Sequence, residues 1–352
     1  MAPSPPFSAD APTLGRRRLL QLGAGAAVGL PALLTGCRRQ DPLLLLSAQG
    51  AMPAAWMQQL PAPWRQKALA DPAAVVQAAT RRATAERDPR REETGLLALS
   101  DGWALDLPRT QLQPFGAPAL LARLTAMAQP ISRLFAADGA PAWAFPWAFS
   151  PWVLVLRNSE ALANRARGAE GWGVLLDPGL RQQLILPASP RISLELCGAD
   201  PGRLRRLRAQ ALAYDERDAL NLLLNGAARA AVVPLQQLVP LLRRDQRLQV
   251  VLPASGAPLT WQLLLRPNGA PPPPLEWLGA LLEPPLLPRL LAGGWVPPLP
   301  RSQLAAALGH LPQRLAPLLL PPAAVLQRCW SLEPLSPKRQ QELQTLWDNA
   351  AA

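Results

Sequence analysis

Short apolar runs, each closed by a turn signal, recur along the chain. Residues 43–46 are four Leu in a row between Pro42 and Ser47. A run without alternation suits a strand buried on both faces. The same pattern predicts strands over 96–99, 153–156, 183–186, 230–233, 248–252 and 259–265. Between them, apolar residues fall three and four apart, which is helical spacing. The clearest helices are expected from residue 71 through 79 and over 158–167, 201–212, 215–225, 235–244 and 336–349. Asp71 before Pro72 reads as an N-cap with Pro in the first turn, and Asn225-Gly226 as a helix stop. Shorter helices are expected over 54–60, 105–112, 118–127, 192–196, 277–282 and 285–291, and surface loops over 81–93 and 171–179. Strands alternating with helices predict an α/β fold with a mostly parallel sheet.

Composition sharpens this picture. The chain has 43 Pro among 352 residues, which forbids long uninterrupted helices and favours short elements with stiff turns. Hydrophobic residues make up 49%, enough for a large core in one domain or two medium lobes. The net charge is +12, mostly from Arg. The densest Arg group, Arg203, Arg205, Arg206 and Arg208, falls on an expected helix and reads as its solvated face.

The N-terminus changes the compartment. Arg16, Arg17 and Arg18 precede an uncharged segment, residues 19–34, that is rich in Gly and Ala. This is the layout of an export signal. It is too short for a membrane span, which needs about 20 apolar residues. Leu34-Thr35-Gly36-Cys37 resembles a bacterial lipobox, which implies that Cys37 becomes the lipidated first residue. Gly15-Arg16-Arg17-Arg18-Leu19-Leu20 resembles a twin-arginine signal, from whose usual residues Gly15 and Leu19 depart. The alternative is an uncleaved anchor helix, and either way the chain after Cys37 lies outside the cytoplasmic membrane. Residues 1–36 are thus expected to be a signal and 37–42 a tether. Export excludes most nucleotide-dependent enzymes and gene regulators, so no nucleic-acid partner is expected. The basic balance points instead to anionic headgroups or an anionic solute.

Reactive side chains are sparse. Cys197 and Cys329 remain for a disulfide or for two buried thiols, and both readings stay open. His310 is the only His, and no Gly-x-Ser-x-Gly or metal-ligand cluster occurs. No enzyme activity, cofactor or metal is expected.

Three stretches together resemble the substrate-binding proteins of ABC importers, in their spermidine/putrescine-binding branch. The first is residues 171–191, with Trp172, Leu175 and Asp177-Pro178 in a Trp-x-x-Leu-x-Asp-Pro segment, then a strand and a loop ending in Arg191. The second runs from Leu223-Leu224-Asn225-Gly226 through an Ala-rich strand to Pro234 and on to Leu241-Leu242-Arg243-Arg244. The third runs from Gly256 through Trp261 to Pro267, then over 278–290 to Gly293-Gly294. The resemblance implies a two-lobed periplasmic-binding-protein-like fold (type II) with a ligand cleft between the lobes. It implies crossings near 146–152 and 254–261, lobe 1 over 43–147 plus 259–352, and lobe 2 over 148–258. It also implies a small-molecule solute, an ABC permease as partner, a lipid-anchored monomer on the periplasmic side, and no chemistry at the site.

A polyamine needs carboxylates and aromatic faces. Here Ala48, Ala51, Ser189, Ile192, Pro234 and Leu263 stand where the branch carries its aromatic and acidic ligand residues. The expected cleft residues are Ser100, Trp103, Trp147, Ser150, Ser189, Arg191, Gln236 and Trp261. With Arg191 and the helix N-termini after Ser100 and Ser189, they would favour an anionic or neutral polar ligand over a polyamine. The competing reading is a sensor or scaffold on the same fold, marked by a cleft filled with apolar side chains.

Overall fold

The computed structural model describes residues 41–84, 93–216, 218–309 and 311–351. The export signal, Cys37, most of the tether, most of the charged stretch 81–93 and His310 lie outside the described residues.

The strands are β1 (Leu43–Ala48), β2 (Trp64–Leu69), β3 (Glu93–Ser100), β4 (Ala144–Arg157), β5 (Leu184–Leu186), β6 (Ala211–Tyr214), β7 (Ala230–Pro234), β8 (Leu248–Val251), β9 (Pro258–Leu265) and β10 (Trp330–Ser331). They join in the order β2-β1-β3-β9-β4-β7-β5-β6, with β10 on β9 and β8 on β4. Helices between the strands make the fold α/β. The flanks are parallel: β2 and β3 pair with β1, and β6 and β7 with β5. The centre is antiparallel, because β4 and β9 run against each other and against β3, β7 and β8. The expectation of a mostly parallel sheet therefore holds only for the flanks. An apolar run records burial but not strand direction.

β4 joins the two halves. Its first part, from Ala144 to Pro151, pairs with β9, and its second part, from Trp152 on, pairs with β7 and β8. The register with β9 slips between Pro146 and Ala148. Pro cannot donate to a ladder, so a bulge is its natural place in a central strand. The strand is buried on both faces. Val153 and Val155 enter the core that holds Trp261 and Leu263, while Leu154 and Leu156 enter the one that holds Leu184, Leu186 and Val232. Each such side chain contributes about 1.5–3 kcal/mol of burial.

Local signals act as the sequence indicates in several places. Asp71 Oδ1 accepts from Ala74 N at 2.8 Å at the start of the helix Pro72–Thr84. Gly226 ends the helix Ala219–Asn225 in the left-handed region. Ser336 caps the helix Pro337–Asn349. Others differ. The helix expected over 105–112 is replaced by a turn of helix, Asp101–Leu105, that starts at the end of β3, and by a 3-10 turn at Arg109–Gln111. The helix expected over 118–127 stops at Leu121. Residues 171–176 and 178–180 form 3-10 turns rather than open loop. The helix Pro201–Gln210 ends early because its last residues become β6. Cys197 and Cys329 are both free thiols.

The Trp-x-x-Leu-x-Asp-Pro segment ties the second half together. Arg165 donates to both carboxylate oxygens of Glu170 at 2.7 Å and to Asp177 Oδ2 at 2.5 Å. The other Asp177 oxygen accepts from Gly179 N, and Trp172 Nε1 donates to Gly256 O at 2.8 Å. The C-terminal helix, expected with the first lobe, packs instead on the helices Pro190–Cys197 and Pro201–Gln210. Trp347 enters the core of the second half, with Arg208 4.9 Å above its ring. Its apolar face finds a partner there, so the chain crosses between the halves a third time, after β10.

Candidate functional site

A cavity of about 680 Å³ opens between the two halves, near the ends of β1, β3 and β7 and along β4 and β9. Its size falls in the range of small-molecule sites, about 300–1,000 Å³. The first half contributes Gln49, Gly50, Asp71, Ser100 and Trp103; β4 contributes Ser150 and Trp152. The second half adds Glu216, Gln236 and Gln237, and the return strand adds Thr260 and Gln262. Trp295 completes the wall.

Each part of this wall has a local cause. The turn after β1 carries Gln49, whose backbone N–H donates to Leu69 O at 2.8 Å. β7 ends at Pro234, and the helix Leu235–Leu242 starts at once. Its first N–H groups have no helical partner. Gln236 N donates to Ser150 Oγ at 3.0 Å, so a β4 hydroxyl caps the helix from across the strand pair. Gly294 has φ +86, and a Cβ there would meet Gln236 O at 2.9 Å. Only Gly lets this turn come so close, and the turn sets Trp295 on the cavity wall beside Gln236.

Below the wall lies Asp101, buried at the start of the helix after β3. Its Oδ1 accepts from Trp261 N and Thr260 Oγ1, both at 3.2 Å. Burial pushes its carboxyl up to about 6, against the pull of these hydrogen bonds. It thereby ties β3 to β9 at the level where both strands meet the cavity.

Of the residues expected in the cleft, Ser100, Trp103, Ser150 and Gln236 line the cavity together. The other four lie outside its lining. Trp147 is buried in an aromatic stack, its ring 5.2 Å from Trp56 and 5.0 Å from Trp295. Trp261 is fully buried, with Nε1 donating to Ser331 Oγ at 2.9 Å. Arg191 Nη2 donates to Glu333 O, so it holds the third crossing and leaves the cavity without its charge. Ser189 precedes the helix Pro190–Cys197 without capping it, and is exposed.

The strand period explains the placement of Trp261. Alternate residues of β9 face opposite sides, and Thr260 and Gln262 take the cavity side. Trp261 and Leu263 therefore face the core. The sequence reading missed Gln49, Asp71, Glu216, Gln237, Gln262 and Trp295. Asp71 and Glu216 also put two carboxylates where the sequence reading found none. Gln262 was detectable from the β9 alternation; Glu216 and Trp295 sit in turns that carry no periodic signal.

No protein-family model and no curated protein sequence matches the chain. Solved structures do. A spermidine/putrescine ABC transporter substrate-binding protein, PotD of Streptococcus pneumoniae, solved with calcium and HEPES, superposes with a TM-score of 0.69 at 12% identity. The match covers 88% of this chain and 98% of that one. A putative spermidine/putrescine ABC transporter protein of Listeria monocytogenes gives 0.62 at 14%, over 88% and 98%. Iron-bound HitA of Pseudomonas aeruginosa gives 0.59 at 13%, over 89% and 100%. At this sequence distance the likeness establishes the architecture: the chain has the two-lobed α/β fold of the substrate-binding proteins of ABC importers, in a form divergent from the spermidine/putrescine binders it superposes on.

Proposed function

We propose that this protein captures a small polar solute between its lobes and delivers it to the permease of an ABC importer, without chemistry of its own. The observation that carries this reading is the open cavity, whose wall draws polar and apolar residues from both halves. A scaffold on the same fold would fill that space with apolar side chains. Here the space is open, and Gln, Ser, Thr, Asp and Glu side chains reach it between the Ala, Pro, Phe and Trp side chains of the same wall.

In this reading lobe 1 comprises residues 43–147 and 259 to about 331, lobe 2 comprises 148–258, and the C-terminal helix rides on lobe 2. Closure follows from bending of β4 and of the segment before β9. Cys37 carries the lipid that holds the monomer at the outer face of the cytoplasmic membrane after export through a twin-arginine signal. The polyamines and the iron named for the superposed proteins do not transfer with the fold, because at 12–14% identity only the architecture is shared.

The test is native mass spectrometry of the mature protein purified from its envelope fraction. The expected result is an acylated Cys37 together with a mass excess that disappears on denaturation. A chain recovered unacylated from the cytosol, and unmoved in unfolding temperature by a broad solute panel, would end this reading.

A further inference from the structure

We propose that the solute is uncharged and polyhydroxylated, of the sugar or sugar-alcohol class. This rests on the solute-capture reading and narrows it. Among the described residues, no Arg, Lys or His lines the cavity. An anion entering it would give up its hydration without a charged partner. The basic character of the chain lies elsewhere, on surfaces such as the exposed Arg203, Arg205 and Arg206.

The choice between an amine and a hydroxyl compound turns on the amides. Gln49, Gln236, Gln237 and Gln262 converge on the cavity from three elements, and no protein group among the described residues holds their side-chain amides. Each amide presents two donors and one acceptor. An ammonium group offers donors only, so it would leave the NH₂ groups facing it unmatched. A hydroxyl donates and accepts, and so matches both ends of each amide.

The two carboxylates fit the same ligand. Asp71 Oδ1 already accepts from Ala74 N at 2.8 Å, and Glu216 Oε2 from Ala188 N at 2.7 Å. Each is committed to holding a turn in shape, with one oxygen left for a donor. A vicinal diol supplies such a donor to each free oxygen. Trp103, 37% exposed, and the half-buried Trp295 supply flat rings for the C–H face of a sugar.

The experiment is calorimetric titration and thermal unfolding of the purified protein with three sets of probes. These are neutral hexoses, disaccharides and sugar alcohols; putrescine and spermidine; and phosphate and citrate. The neutral set is expected to give a saturable heat and a raised unfolding temperature, and the other two sets neither. Gln262→Leu is expected to weaken neutral binding about tenfold, the equivalent of one lost hydrogen bond. If that variant does not fold, Gln49→Leu at the exposed rim serves in its place. Saturable binding of an amine or an anion overturns the ligand class and leaves solute capture standing. Silence from all three sets overturns the ligand class. Neutral binding that neither variant weakens also overturns the assignment, since it would lie outside this cavity.

Discussion

Asp101 couples the cavity floor to pH. Burial raises its carboxyl from 3.8 to about 6 in the folded chain. A raised carboxyl contributes stability that is fully present below the unfolded value of 3.8 and lost as pH rises through about 6. The difference corresponds to about 3 kcal/mol across that window. Asp101→Asn keeps an oxygen for Thr260 and Trp261 and removes the titration. Its stability is therefore expected to rise relative to the parent between pH 4 and 7. Thermal unfolding of both proteins at pH 4, 5, 6 and 7 measures this, and parallel profiles would refute it. Arg191 gives a second residue-scale expectation. The sequence reading put it in the cleft, but its guanidinium binds Glu333 O. Arg191→Ala should leave solute affinity within about twofold and cost about 1 kcal/mol of stability. Titration and denaturant unfolding separate the two effects. Half of the expected site was legible because Ser100, Trp103 and Gln236 sit at or just after the ends of strands that could be read from apolar runs, and Ser150 lies just ahead of the apolar run inside β4. The rest was missed because a conspicuous Trp drew attention to position 261, although the polar Thr260 and Gln262 alternating with it on β9 put Trp261 on the core side.

Two elements hold the second half in place, and neither function could be read from spacing alone. The C-terminal helix buries Trp347 against Arg208 and Tyr214, whose ring lies 5.7 Å away edge-on. Trp347→Ala is expected to destabilise by about 3 kcal/mol, at the lower end for a large aromatic. Denaturant unfolding followed by fluorescence gives the value, and a loss below about 1 kcal/mol would place the helix outside the core. The turn before β9 is the other element. Gly256 has φ +84, and a Cβ there would lie 2.1 Å from Arg328 O, a backbone atom that cannot swing away. Gly256→Ala should cost upwards of about 1–3 kcal/mol from conformation alone. A variant as stable as the parent would show that this turn is not held. The apolar runs made β1, β3, the second half of β4, β5, β7, β8 and β9 legible. β2 was missed because Arg65, Gln66, Lys67 and Ala68 are exposed on an edge strand. β6 was missed because four residues at the end of an Arg-rich helix carry no strand period of their own. Edge strands bury little, so their pairing is decided by the neighbour rather than by their own sequence.

At the scale of the molecule, the halves communicate through three crossings of unequal stiffness. β4 is continuous through fourteen residues, but its register slip at Pro146 to Ala148 leaves a place to bend. The segment before β9 is pinned at Gly256 by Trp172 and at Ala254 O by Arg328. The third crossing is fastened at Arg191 and by Trp330 Nε1 on Glu195 at 3.2 Å. In the proposed capture, a solute held by Gln236 and Gln237 on one side and by Gln49 and Ser100 on the other would lower the energy of the closed arrangement only. Closure should therefore reduce the radius of gyration in solution scattering when a solute saturates the cavity. Ligand at a hundred times its dissociation constant should add about 2.7 kcal/mol to the unfolding free energy. The two readouts belong together, because a solute that touched one half alone would stabilise that half without drawing in the other. A stabilised protein whose scattering curve stays unchanged would mean that the third crossing holds the halves fixed. The cavity would then be a rigid receptor rather than a hinged trap.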